Sequence, residues 1–187
     1  MKKFFDFTPN ELNVLARLDS SQKIQTFLDK LPVNFETQGD TCYSPRKVLR
    51  LKTAHCMEGA LLAATALWYH GQPPLLLDLV TTKNDDDHVV ALFRAHGRWG
   101  SISKTNHGVL RYREPVYKSV RELAMSYFHE YFKDSGQKTL RKFSVAFDLR
   151  KIKDRSWLTS EEDLWQINNA LDDSRHYPIL SPRQITQ

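Results

Sequence analysis

Residues 56–69 read C-M-E-G-A-L-L-A-A-T-A-L-W-Y. Strong helix formers dominate this stretch, and His70-Gly71 follows it as a C-terminal stop. Ala60, Leu61, Ala63, Ala64, Leu67 and Trp68 cover nearly the whole circumference of such a helix, which is the pattern of an element buried on all sides. The segment is therefore the expected central helix, with Cys56 at its N-terminus. Unpaired backbone N–H groups and the helix dipole favour a thiolate at that position, and the same N–H groups could hold a developing oxyanion. The competing reading is that a cysteine on a buried helix packs as a small hydrophobe.

Working outward toward the C-terminus, Pro73-Pro74 breaks the chain before Leu75–Thr81, an apolar run of strand length. The polar loop Lys83–Asp87 follows, and then two β-like runs, His88–Arg94 and Trp99–Thr105, joined at His96-Gly97 by a tight hairpin turn. Such a turn pairs Ala95 with Arg98 and, counting outward, Val90 with Ser103 and His88 with Thr105. Alternation places Ser101, Ser103 and Thr105 on the His88 face, while Val89, Ala91 and Phe93 take the other. If the sheet packs on the Cys56 helix, a thiol, an imidazole and a polar third residue can converge, as nucleophilic catalysis requires.

Toward the N-terminus, Thr8-Pro9-Asn10-Glu11 reads as a capping box opening a helix to Arg17, and Ser21–Leu31 as a second helix. Asn34–Thr41 is a loop, and Ser44-Pro45 opens a short helix to Leu51. Beyond the hairpin the pattern predicts a helix over Val116–Phe132 and a strand over Thr139–Asp148. A last helix is predicted from Thr159/Ser160 to Leu171, with an extended tail after Pro178. The expected fold is α+β, a central Cys-bearing helix packed on an antiparallel sheet with flanking helices. It forms one domain over 1–187, with a helical part at 1–44, a core at 45–106 and a helix–strand–helix part at 107–187.

Length and composition agree with this. A chain of 187 residues with 41% hydrophobic and 26% charged residues fits a single globular core and excludes collagen-like or disordered classes. No run approaches the roughly 18 apolar residues of a membrane span, and no signal-peptide pattern follows the first lysines. The expected compartment is the cytoplasm, with no membrane partner. Cys42 and Cys56 are too few for a disulfide framework and lack zinc-site spacing. The net charge is +5, and the basic stretches Arg98–Arg121 and Lys138–Arg155 interleave with aromatics. No nucleic-acid motif accompanies them, so nucleic acid is not the expected partner. Asp85, Asp86, Asp87 and His88 are consecutive, point alternately, and read as a solvated acidic turn better than as a metal site. No metal or other cofactor is expected.

The run R-K-V-L-R-L-K-T-A-H-C-M-E-G-A-L-L-A-A-T-A-L-W-Y-H-G, an apolar strand, and then D-H-V-V-A-L-F-R-A-H-G-R-W-G-S-I-S-K-T resemble the transglutaminase-like cysteine hydrolase superfamily, in particular its bacterial peptidase and amidase type. That superfamily sets a Cys on a helix N-terminus and a His and an Asp on neighbouring strands. The resemblance spans about Pro45–Thr105. It implies a papain/transglutaminase-like core in which Cys56 is the nucleophile and His88 its acid–base partner. Two positions depart from the family pattern. His55 stands where a Gly usually precedes the nucleophile, and Ser103 stands four residues after Trp99, where the acid is usual. A serine can orient an imidazole but cannot neutralise an imidazolium. Asn106 is the expected substitute, since an Asn serves in papain-like enzymes; His55 and Asp87 are further possible orienters. Arg111, Arg113 and Glu114, before Pro115, are candidates either for lining a substrate groove or for satisfying buried backbone, and His55 beside the nucleophile is a further candidate for contact with substrate. The expected activity is hydrolysis of an amide or peptide bond, or acyl transfer, on a peptide or protein amide substrate. The alternative is a binding protein on this fold whose acid position has decayed.

Overall fold

The computed structural model describes residues 3–185. α1 (Pro9–Arg17) opens on the full capping box between Thr8 and Glu11, and α2 (Ser21–Lys30) on a Ser20 cap. α3 (Pro45–Leu51) begins at Ser44, whose hydroxyl accepts the Lys47 N–H. In α4 (Cys56–Tyr69) every residue from Met57 to Leu67 is buried. A helix without a polar face has no stable place at a surface, and this one runs through the largest hydrophobic cluster.

Seven strands form one sheet: β1 (Leu75–Val80), β2 (His88–Ala95), β3 (Arg98–Ile102), β4 (Arg113–Tyr117), β5 (Lys142–Ser144), β6 (Phe147–Asp148) and β7 (His176–Pro178). Their order is β4-β3-β2-β1-β5-β7, with β6 also on β1, and every pairing is antiparallel. The mixture of helices with an antiparallel sheet is α+β. Leu76, Val89, Ala91 and Phe93 pack into the cluster around α4, while Leu77, Leu79, Val90 and Leu92 pack under α5 (Val120–Phe128). β2 is thus covered on both sides, which explains its unbroken apolar run.

At the hairpin, His96 and Gly97 have φ of 51° and 73°, the left-handed pair that a two-residue turn of this kind needs. The turn sets the register from Ala95↔Arg98 to Ala91↔Ile102, as the counting argument expects, but β3 ends at Ile102 and does not continue to Thr105.

Four expectations change farther along the chain. The helix predicted from Val116 begins at Val120, because Ser119 caps it and Arg113–Tyr117 is an edge strand instead. Pro115 sits at a register irregularity of that edge, where a strand tolerates a missing N–H. The predicted strand Thr139–Asp148 is two short ones, β5 and β6, interrupted at Val145, whose N–H turns to the Arg175 carbonyl. The last long helix, α6 (Trp165–Asp172), starts after the acidic residues rather than with them. Glu161 pairs with Arg50 at 2.6 Å and Asp163 with Lys47 at 3.3 Å, so the acidic stretch ties to α3 instead of forming a first helical turn. The tail after Pro178 carries a further short helix, α7 (Pro182–Ile185). Among the described residues no helix is long and apolar enough to cross a membrane.

Candidate active site

Cys56 is the first residue of α4 and His88 the first of β2, and both line one cleft. The alternation of β2 gives His88 the parity of the α5 side, whereas Val89, Ala91 and Phe93 face α4. The two groups therefore meet past the sheet's end rather than across the helix–sheet interface that the sequence suggested. Gly59 permits the approach. A Cβ there would overlap the Lys104 Cβ, so its absence lets the first turn of α4 close on the segment that continues β3.

His88 is 4% exposed, and its Nε2 lies 2.8 Å from Ser103 Oγ. Ser103 Oγ donates to the Leu110 carbonyl at 2.7 Å. A hydroxyl has one proton to give. Ser103 must then accept from His88 Nε2–H, which leaves Nδ1 as the basic nitrogen of the neutral ring. The backbone of Ser103 is clamped on both sides by Gln25, which accepts its N–H at 2.9 Å and donates to its carbonyl at 2.8 Å. Asn106 stands exposed on the cleft wall, and the Nε2 position it was expected to fill is occupied by Ser103. Asp87 accepts from the Thr81 N–H and hydroxyl, turned away from His88 as strand alternation requires.

The expected substrate role of Arg111 and Arg113 is not what the geometry offers, since neither lines the cleft. Arg113 lies 4.1 Å over the Tyr127 ring and donates to the carbonyls of Val109 and Arg111. It braces the loop whose Leu110 carbonyl fixes Ser103, and so acts on His88 at two removes. Arg111 is exposed and contributes its backbone carbonyl to Arg113 and to the Tyr127 hydroxyl.

His55 lines the cleft and is also the N-cap of α4. Its Nδ1 is 3.3 Å from the Met57 N–H, and its Nε2 is 2.9 Å from the Thr41 carbonyl, 3.4 Å from Glu58 Oε1 and 3.6 Å from Glu36 Oε1. Glu58, at 0% exposure, accepts from the His55 and Tyr43 N–H groups, the Thr41 hydroxyl and the Asn34 amide. Every protein hydrogen bond it makes is to a donor, so it is a buried carboxylate.

Burial opposes a charged Cys56, but hydrogen bonds from His55 and His88 and their positive charge outweigh it, pulling the thiol down to about 5. Burial likewise opposes a charged His55, yet the Cys56 thiolate and Glu58 lift it to about 9. Tyr131, which donates to the Asp86 carbonyl at 2.9 Å, is pushed above the usual phenol range by burial and by the nearby Cys56 thiolate.

The thiol opens on a cleft of about 740 Å³. Exposed Phe35, Val109 and Phe132 stand on its rim, and Glu36, Asp40, Asp85, Asp86 and Asp87 on its walls. The lining lysine, Lys104, turns its amine onto the carbonyls of Leu28 and Leu31. Among the described residues no group of three or more His, Cys, Asp and Glu side chains gathers as a metal would need. Sequence reasoning missed Gln25, Glu58 and the Leu110 carbonyl. Glu58 had a local signal, the capping position three residues after His55, but His is not a usual cap and the pair went unread. Gln25 had none, because its target lies 78 positions away. No protein-family model matches the chain, and no curated protein is similar to it.

Proposed function

We propose that this chain is a thiol-dependent hydrolase of amide or peptide bonds, or an acyl transferase, on a papain/transglutaminase-like core. The reading is carried by one observation, a thiol on the first turn of a buried helix, in reach of two imidazoles and open to a cleft. Cys56 attacks the amide carbonyl, and the N–H groups of the α4 terminus face the charge that develops on oxygen. One imidazole returns the thiol proton to the leaving amine, and one takes a proton from the incoming water or acceptor; in this reading His88, whose Nδ1 is the basic nitrogen, takes part in this work. The acidic walls oppose the +5 charge of the whole chain, which favours peptide or protein substrates that carry positive charge near the scissile bond. Two free cysteines fit a reducing cytoplasm.

The test is acyl-enzyme capture by mass spectrometry, using activated aryl esters of lysine-bearing and glutamate-bearing peptides. Acylation of Cys56 that turns over in wild type, accumulates in His88→Ala and prefers the lysine-bearing donor is the expected result. Adding an amine acceptor separates transfer from hydrolysis. A second reading, a binding protein on the same fold, is favoured by Ser103, which gives His88 a neutral partner where a carboxylate would stabilise its charged form. Absence of any adduct on Cys56 with every donor would leave that reading in place.

A further inference from the structure

The Ser103 substitution poses the question of where the missing negative charge has gone, and the buried carboxylate behind the other histidine supplies an answer. Glu58 is at 0% exposure, and His55 is the basic group within 4.0 Å of it among the described residues. A buried carboxylate without a cation nearby is costly. The Nε2 of His55 faces acceptors only, the Thr41 carbonyl, Glu58 and Glu36, so that nitrogen carries a hydrogen in either charge state. Protonation of the ring can only add Nδ1–H, at the nitrogen that otherwise accepts the Met57 N–H next to Cys56 in the chain. His88 has no such support, since its Nε2–H ends on a neutral hydroxyl. His107, the third histidine lining the cleft, stands exposed to solvent, and the remaining titratable groups near the thiol are acidic: Tyr131, Cys42 and the Asp85–Asp87 turn. None of them can serve as its counter-ion, and the Lys104 amine is turned away onto carbonyls.

We infer that the resting thiolate of Cys56 is paired with protonated His55, held in that state by Glu58 and Glu36, and that His88 is thereby left to act as a second, separate base. The inference rests on the reading of Cys56 as the nucleophile. In the step that forms the pair, the Sγ–H bond breaks, its electron pair stays on sulfur, and the proton forms Nδ1–H on His55. During acylation that proton passes to the leaving amine. His55 then returns to its neutral form, in which Nδ1 accepts the Met57 N–H and caps α4, the contact seen at 3.3 Å. His88 takes a proton from the incoming water as the thioester is cleaved and returns it to His55 through the regenerated thiol. One histidine handles the first half of the cycle and the other the second.

The experiment measures alkylation of Cys56 by iodoacetamide against pH in wild type, His55→Asn, His88→Asn, Glu58→Gln and Glu36→Gln, together with an NMR titration of the His55 ring in wild type and Cys56→Ala. Asn is chosen at position 55 because its side chain still caps a helix without charge. The wild-type rate should level off well below the ordinary thiol inflection of about 8.5. His55→Asn should raise the inflection by about two pH units, a loss of roughly tenfold in thiolate near pH 6, and His88→Asn by under about one. Glu58→Gln should raise it by more than Glu36→Gln does. The His55 ring should be protonated at neutral pH in wild type, and its inflection should fall in Cys56→Ala. A wild-type inflection near the ordinary value would overturn the nucleophile reading itself. A low inflection that His55→Asn leaves in place and His88→Asn removes would keep the nucleophile and overturn only the pairing, as would a neutral His55 ring in wild type. The ring titration uses wild type and so decides the question even where a variant fails to fold.

Discussion

Cys42, in the loop that leads into α3, and Cys56, at the start of α4, are two thiols in adjoining parts of one interior with opposite fates. Cys42 is 1% exposed, and burial together with the nearby Glu58 and Asp163 pushes it up to about 12. Cys56 meets the same penalty of burial, yet the imidazoles of His55 and His88 bring it down to about 5. Burial alone silences a thiol. What decides reactivity is the sign of the groups that share the burial, and Glu58 shows this most clearly because it acts in both places. Beside Cys42 it is a like charge that keeps the proton on sulfur, whereas behind His55 it holds a cation that draws the proton off the other sulfur.

The largest effect expected from this contrast is selectivity. At neutral pH, iodoacetamide should alkylate Cys56 at least about a thousandfold faster than Cys42, because the thiolate is the reactive form and only one of the two is populated. Peptide mapping after timed quenching measures the ratio. Comparable rates in the folded protein would dissolve the comparison, while a Cys42 rate that appears only in denaturant would sharpen it.

The next effect concerns what brings Cys56 to its partners. A methyl group at Gly59 would overlap the Lys104 Cβ, an atom fixed to the backbone and not a flexible tip. Gly59→Ala should therefore push the first turn of α4 off the segment after β3 and lower stability by about 1–3 kcal/mol, the usual cost of overpacking. Urea denaturation reads this, and turnover should fall with it because Cys56 moves from His88. A variant as stable as wild type would mean that the two segments give way easily and that the close approach does not set the site.

The contrast between the thiols was half legible in the sequence, and the division follows sequence distance. Cys56 on a helix N-terminus, the His96-Gly97 turn and the register it imposes are local features, settled by residues a few positions apart, and they appear where the pattern put them. The acidic residues before α6 looked like a helix start because their partners, Lys47 and Arg50 on α3, lie more than a hundred positions away. Val116 and its neighbours carried helical spacing, but pairing with β3 took them into an edge strand. At the site, Ser103 on the His88 face of the hairpin was legible. Its clamp by Gln25 was not, nor was the burial of Glu58 behind His55, since both depend on which chain segments fold against one another.

The smallest effect expected is at Ser103, and it separates the two histidines most sharply. Ser103 Oγ accepts from His88 Nε2 and gives its proton to the Leu110 carbonyl, in a position 1% exposed. Ser103→Asp would aim a carboxylate at the Leu110 carbonyl with no donor between them, so it should destabilise the fold by about 1–3 kcal/mol rather than strengthen the base. Ser103→Ala avoids the repulsion and removes only the orienting bond. His88 can then turn or change tautomer, and release of an acylated Cys56 should slow, because the base that acts on the incoming water is no longer aimed. The alkylation inflection of Cys56, however, should move by less than about half a pH unit, since the cation that holds the thiolate is on His55 and feels no loss at position 103. The two readouts must therefore part company, with deacylation slowed and thiolate formation kept. If the inflection rises instead toward that of an ordinary thiol, then His88 carries the thiolate's charge after all, and the difference between the two cysteines rests on Ser103 rather than on Glu58.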